Sequence, residues 1–136
     1  MYTDHKGREI PVTIDEFLPV LVRSELVTQP KSSELVARYQ EEYLPTTDVP
    51  DSLTAFCSFL IADGTLATWQ CTKLRNAQWK GFYLDGWLIL DHIDLDQDCS
   101  YFLVHHTTQD TFARMAVTPP TRWKGREIEY RITHRF

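Results

Sequence analysis

The fold is decided by residues 79 to 106, which read WKGFYLDGWLILDHIDLDQDCSYFLVHH. Two apolar segments flank Asp85-Gly86, a dipeptide that is typical of the tight turn of a β-hairpin. An aspartate-rich segment follows, and then another apolar segment that ends in His105 and His106. The segment after the turn shows little polar alternation, as expected of a strand that is covered on both faces. These features predict the centre of an antiparallel sheet.

The same pattern continues on both sides of this stretch. Downstream, residues 111 to 117 and 126 to 136 predict two more strands, and the last has a clear alternation of apolar and charged residues. Upstream, residues 53 to 72 predict a hairpin that turns at Asp63-Gly64. A left-handed Gly64 at a bulge would keep Cys57 and Cys71 on one buried face of that hairpin.

Two helices are predicted before the strands. The first covers Thr13 to Val27 with apolar residues at helical spacing, and Thr13 and Glu16 have the spacing of a capping box. The second runs from Ser32 to Leu44, after Pro30, with a serine as its cap.

Together these elements predict an α+β fold in a single domain that spans residues 1 to 136. Two N-terminal helices, in a mainly helical layer formed by residues 1 to 52, would pack on a curved antiparallel β-meander. The meander would hold six or seven strands from residues 53 to 136 and form a roll or half-barrel.

The composition indicates a globular protein in a reducing compartment. Apolar residues make up 43% and charged residues 24%, close to the average of soluble domains. The apolar runs are too short for a membrane-spanning helix, and the N-terminus lacks the apolar core of a secretion signal. The three cysteines show no Cys-x-x-Cys spacing and predict buried free thiols. We therefore expect a soluble cytoplasmic protein.

The charge is unevenly distributed. Residues 81 to 110 carry six aspartates and no lysine or arginine, whereas residues 111 to 136 carry six basic residues against two glutamates. Such a chain could bind a basic partner through its acidic middle, the acidic face, or an anionic partner through its basic tail, although a solvated sheet surface explains the same pattern. The net charge of −5 disfavours nucleic-acid binding, which usually needs a basic domain.

A hairpin turning at residues 96 to 100 would bring histidines and aspartates together. In one register Asp91 lies opposite His105, and its carboxylate could orient the imidazole for proton transfer. On the other face, two diagonal imidazoles and a nearby carboxylate could hold a metal. The candidate metal ligands are His92, His106 and Asp94. Solvent-facing side chains at strand ends are the simpler interpretation of all five residues.

Aromatic residues predict a groove between the helices and the sheet. Its candidate ligand-binding residues are Trp69, Trp79, Tyr83, Trp87 and Tyr101. Aromatic residues on strands also serve as core or cross-strand partners, which is the alternative.

The sequence contains no phosphate-binding loop, dinucleotide-binding glycine pattern, nucleophile elbow or zinc-protease helix, and it predicts no cofactor. What remains favours a non-enzymatic binding protein, with a small molecule in the aromatic groove or a protein partner on the acidic face. The alternative is a small hydrolase or isomerase that uses the histidines and aspartates, with or without a metal. A free edge on the C-terminal strand is compatible with a homo-oligomer in both cases.

Overall fold

The computed structural model describes residues 2–4, 6–42, 53–119 and 128–136. The chain divides into two compact units, one ending at Lys80 and the other beginning at Gly81. The first unit is mainly helical and the second is a β-sheet, so the protein is α+β as predicted. The change from helices to the sheet comes after residue 80. The prediction that it comes after residue 52 was wrong, because residues 53 to 75 hold two helices. A single domain with the helices packed on the sheet stays a prediction.

The first unit begins with two short antiparallel strands, β1 (Tyr2–Thr3) and β2 (Glu9–Ile10). Asp4 closes the turn between them, because its carboxylate accepts hydrogen bonds from the backbone N–H groups of Lys6 and Arg8. The Asp4 carboxylate also accepts a hydrogen bond from Arg8 Nε at 2.8 Å. The Arg8 guanidinium is therefore already paired within this turn.

Helix α1 (Ile14–Arg23) starts at the predicted capping box. Thr13 Oγ1 accepts the Glu16 N–H at 3.2 Å, and the Glu16 carboxylate accepts the Thr13 N–H at 3.1 Å. Two of the otherwise unpaired N–H groups of the helix start are satisfied in this way. The helix continues through Pro19, whose ring is exposed, and ends at Arg23 rather than at the predicted Val27.

Helix α2 (Gln29–Glu42) begins earlier than predicted. Pro30 does not precede this helix but lies in its first turn, where a missing N–H removes no helical hydrogen bond. Thr28 caps the helix, because its Oγ1 accepts the Lys31 N–H at 3.3 Å and its carbonyl accepts the Ser32 N–H. The predicted end at Leu44 lies outside the described residues.

Two further helices, α3 (Leu53–Ala62) and α4 (Thr68–Arg75), replace the hairpin predicted for residues 53 to 72. The prediction was wrong because α3 is apolar on nearly all sides, and an apolar run of this length fits a strand or a helix equally well. The buried positions are compatible with helical spacing: Leu53, Phe56, Cys57, Phe59 and Leu60. Gly64 has the predicted left-handed conformation, with φ +81°, but it ends α3 by donating its N–H to the Ile61 carbonyl.

The core of the helical unit is built around Phe56. Its ring makes edge-to-face contacts with Tyr39 of α2 at 5.3 Å and Phe17 of α1 at 6.4 Å. These three rings and Leu74 of α4 are almost completely removed from solvent. The four helices therefore all contribute to the interior of the first unit.

No helix in the described ranges is long and apolar enough to cross a membrane.

The second unit is a five-stranded antiparallel sheet whose strands pair in chain order. The strands are β3 (Tyr83–Leu84), β4 (Trp87–Leu95), β5 (Ser100–His106), β6 (Phe112–Val117) and β7 (Tyr130–Arg135). In the described residues the meander has five strands and not the predicted six or seven, because α3 and α4 occupy the segment predicted as a hairpin. The predicted turn at Asp85-Gly86 is confirmed, with φ values of +50° and +84°.

The sheet is curved, as predicted. Strand β4 carries register shifts between Ile89 and Asp91 and between His92 and Asp94, and such bulges increase the local twist. The Tyr130 hydroxyl of β7 donates a 2.6 Å hydrogen bond to Asp85 in the first turn of the same sheet. The first turn and the last strand are thus brought within contact of one another.

Candidate functional site

The structure does not place Asp91 opposite His105. Asp91 lies opposite Leu103, and His105 lies opposite Leu88. The predicted register was wrong because the connection is a tighter turn, from Asp96 to Cys99, followed by the two bulges of β4.

The Asp96 side chain closes that turn. Its Oδ1 accepts the backbone N–H groups of Asp98 and Cys99, each at 2.7 Å. Its Oδ2 accepts the Tyr101 hydroxyl at 2.8 Å. The hydrogen bond from Tyr101, followed by those from the two amides, lowers the pKa of Asp96.

His105 instead pairs with an aspartate from the following turn. Its Nε2 lies 2.8 Å from Asp110 Oδ1, and its ring packs on Phe112 at 4.6 Å. The Asp110 side chain is 93% exposed, so this pair faces solvent. The carboxylate-oriented imidazole that the sequence suggested is present, but with a different carboxylate.

The candidate metal ligands do not converge. His92 of β4 lies opposite Phe102 of β5. His106 is four residues beyond Phe102 on β5, so the two histidines are about 13 Å apart along the strands. Asp94 lies opposite Tyr101, on the other face of the sheet, with its Oδ2 3.7 Å from Arg114. Within the described part of the chain, no group of three or more His, Cys, Asp or Glu residues could hold a metal.

His106 has a structural contact that the sequence did not indicate. Its Nδ1 accepts the backbone N–H groups of Thr108 at 3.3 Å and Gln109 at 3.1 Å, which fixes the turn after β5. Because a backbone amide can only donate, Nδ1 is the acceptor in both hydrogen bonds.

The five residues named for the predicted aromatic groove cannot all line it, because Trp87 and Tyr101 lie on opposite faces of the sheet. Trp69 lies in α4, whereas Trp79 follows that helix and belongs with it to the first unit. Tyr83, Trp87 and Tyr101 belong to the second unit. Trp79 lines a cavity in the first unit.

This cavity, the Trp79 groove, lies within the helical unit and has a volume of about 680 Å³. One wall is a single face of α1: Asp15, Glu16, Pro19, Val20 and Arg23. These positions lie opposite the buried stripe of α1, which consists of Phe17 and Leu21. The remaining walls come from Arg8 and Glu9 at the start of β2 and from Ala77, Trp79 and Lys80 after α4.

Two cations approach the indole in this groove. The Arg23 guanidinium carbon lies 5.7 Å from the centre of the Trp79 ring, and Lys80 Nζ lies 5.0 Å from it. Both distances are within the range of cation–π attraction. Trp79 is half-buried, and Arg23 and Lys80 are exposed, so the ring and both cations are accessible to a ligand.

Trp79 was predicted as a ligand-binding residue, but its neighbours in the groove were not. One signal was available, because Asp15, Pro19 and Arg23 recur every four residues on the polar side of the predicted first helix. The contributions of residues 8 and 9 and of Lys80 come from distant parts of the chain and leave no such pattern.

The predicted acidic face covers residues 81 to 110, and its residues 91 to 98, on β4 and the following turn, are all exposed. At least four of its six aspartates contact other side chains of the sheet unit: Asp85 contacts Tyr130, Asp94 contacts Arg114, Asp96 contacts Tyr101 and Asp110 contacts His105. A protein partner on this face stays a prediction.

Comparison with known proteins adds no function to this geometry: no family model, no curated protein and no solved structure matches the chain.

Proposed function

We propose that the chain is a non-enzymatic binding protein that takes a small ligand in the Trp79 groove. The observation that supports this proposal is a cavity of about 680 Å³ with an accessible indole and a few charged groups on its walls. Ligand sites typically have volumes of about 300–1,000 Å³ and combine apolar or aromatic walls with a small number of polar groups.

The walls of the groove combine apolar and charged surfaces, which suits a small amphipathic molecule. Pro19, Val20 and the Trp79 ring offer apolar surface, which favours any ligand that removes it from water. Arg23 and Lys80 offer positive charge beside that surface, so an anionic group on the ligand would be attracted to this part of the groove.

The proposal can be tested with 1-anilinonaphthalene-8-sulfonate, a dye that combines aromatic rings with one anionic group. We expect native protein to bind the dye, and Trp79→Ala to weaken binding at least about tenfold, equivalent to about 1.4 kcal/mol. Trp69→Ala is the matched control, because Trp69 also has a lysine over its ring, Lys73 at 5.5 Å, but lies outside the groove. Equal dye affinity in wild type and Trp79→Ala would refute the site.

Both variants need a check of folding, since this dye also binds loosened proteins. Unfolding midpoints and circular dichroism should be recorded for each variant. Trp79→Phe provides a milder substitution if Trp79→Ala unfolds, and it should weaken binding in the same direction.

A second candidate function, a small hydrolase or isomerase, is supported by the 2.8 Å contact between His105 and Asp110. In such an enzyme His105 would transfer the proton and Asp110 would orient the ring. Hydrolysis of p-nitrophenyl acetate should then be lost in His105→Gln and kept in His134→Gln, an exposed histidine of β7. An unchanged rate in His105→Gln would exclude this role.

A further inference from the structure

We infer that the ligand of the Trp79 groove is a short peptide of about three or four residues with free amino and carboxyl termini. This inference rests on the proposed function and specifies the chemical class of the ligand. It follows from the order of charges along α1, from which of those charges already have partners, and from their separation.

The groove has an acidic end and a basic end. Asp15 lies in the first turn of α1, and Glu9 lies in β2, shortly before the Thr13 cap of that helix. Arg23 lies in the last turn of α1 and shares the Trp79 ring with Lys80. A ligand that lies along the helix therefore meets carboxylates at one end and cations at the other.

Two other charged residues of the groove already have partners. Arg8 is paired with Asp4 at 2.8 Å, and the Glu16 carboxylate is used in the capping box. In the part of the chain that the structure describes, Glu9, Asp15, Arg23 and Lys80 form no ion pair. Two carboxylates and two cations are thus available to a ligand that carries one group of each sign.

The separation of the two ends sets the length of the ligand. Asp15 and Arg23 are eight residues apart on one helix, a rise of about 12 Å. An extended peptide covers about 3.3–3.6 Å per residue, so three or four residues span about 10–14 Å. The ammonium group would face Asp15 and Glu9, and the carboxylate would face Arg23 and Lys80.

The middle of the groove sets the character of the side chains. Pro19 and Val20 lie between the two charged ends, and neither carries a side-chain hydrogen-bonding group. Apolar side chains on the peptide therefore match this section, whereas a charged side chain would lose water without gaining a partner. A single amino acid is too short to reach both ends.

Asp15 and Arg23 also stabilise α1 itself, because an acidic residue at a helix start and a basic residue at its end interact favourably with the helix dipole. That role affects the unfolding of the free protein and makes no distinction between ligands. A test must therefore measure ligand selectivity and not stability alone.

The experiment is calorimetric titration of the full chain with trivaline, N-acetyl-trivaline, trivaline amide and free valine. We expect trivaline to bind most tightly and each of the other three to bind at least about tenfold more weakly, since each loses one charged contact or the span between them. Arg23→Gln should remove the preference for trivaline over its amide. Lys73→Gln, which alters the cation over Trp69, should keep that preference.

The outcomes separate this inference from the proposed function. Equal affinity for trivaline and its capped forms, or no peptide binding in a protein that still binds the dye through Trp79, would overturn the peptide assignment alone. If neither the dye nor the peptide binds in a way that depends on Trp79, both the peptide assignment and the proposed function are overturned. Arg23→Lys keeps the charge and should retain the preference, which separates a charge effect from misfolding in Arg23→Gln.

Discussion

The Asp85 carboxylate accepts a 2.6 Å hydrogen bond from the hydroxyl of Tyr130, 45 residues further along the chain. It connects the tight turn between β3 and β4 to the last strand of the same sheet. A contact between the first and last elements of a meander requires a curved sheet, so this hydrogen bond is evidence that the sheet is curved. The hydrogen bond to Asp85, followed by burial, raises the pKa of Tyr130 from its ordinary value of 10.0.

Tyr130→Phe should lower the free energy of unfolding by about 1 kcal/mol at neutral pH, the usual net value of one hydrogen bond. The raised pKa favours the protonated tyrosine in the folded protein, so this contribution is complete below pH 10 and is lost as the pH rises beyond it. Urea unfolding of wild type and variant at pH 7 and above pH 10 would measure both effects. A difference that grows at high pH would contradict this account.

Gly86→Ala should destabilise the protein by more than about 1 kcal/mol, because a side chain in the left-handed region is strained. A Cβ at this position would also lie 3.1 Å from Nε2 of His106. Gly81→Ala is the matched control, because Gly81 has a similar φ of +87° and no atom near its Cβ position. The two variants should therefore share the backbone strain, and Gly86→Ala should lower the free energy of unfolding by more than Gly81→Ala does.

Thermal or urea unfolding of the two glycine variants would measure the difference. Equal losses would show that His106 moves aside without cost. No loss in either variant would contradict the left-handed conformation of both glycines.

Cys71→Ala should raise the pKa of Cys57. The two thiols are buried neighbours on α3 and α4, and the hydrogen bond from Cys71 lowers the pKa of Cys57. The same contact, together with burial, raises the pKa of Cys71. Thiolate absorbance at 240 nm, followed against pH, would report the change, and Cys99→Ala should leave the titration of Cys57 unaltered. An identical titration of Cys57 in wild type and Cys71→Ala would contradict the contact.

Features that depend on neighbouring residues could be predicted from the sequence. The capping box of Thr13 and Glu16 and the turn at Asp85-Gly86 each involve only a few consecutive positions, and both are present. The α+β class and the curved antiparallel sheet also followed from the long strand patterns after residue 80.

Features that depend on packing could not be predicted in the same way. Helix α3 is so apolar that its pattern does not distinguish a buried helix from buried strands. The pairing of His105 depends on two bulges and on the turn closed by Asp96, and each shifts the register of β4 against β5. One such shift moves a side chain to a different partner, and Asp110 takes the place of Asp91.

The candidate site combines both kinds of information. Trp79 was identified by its residue type, but its partners in the groove come from three separate parts of the chain. The spacing of Asp15, Pro19 and Arg23 could indicate one wall, but the proximity of the three segments is a property of the folded helical unit.

The most direct test of the binding site is the indole N–H region of a ¹H–¹⁵N NMR spectrum during titration with 1-anilinonaphthalene-8-sulfonate. The protein has four tryptophans, and Trp79→Phe and Trp69→Phe would assign two of their signals. We expect the Trp79 signal to shift in a saturable manner while the Trp69 signal stays in place. A saturable shift of Trp69 with no change at Trp79 would contradict a ligand site in the Trp79 groove.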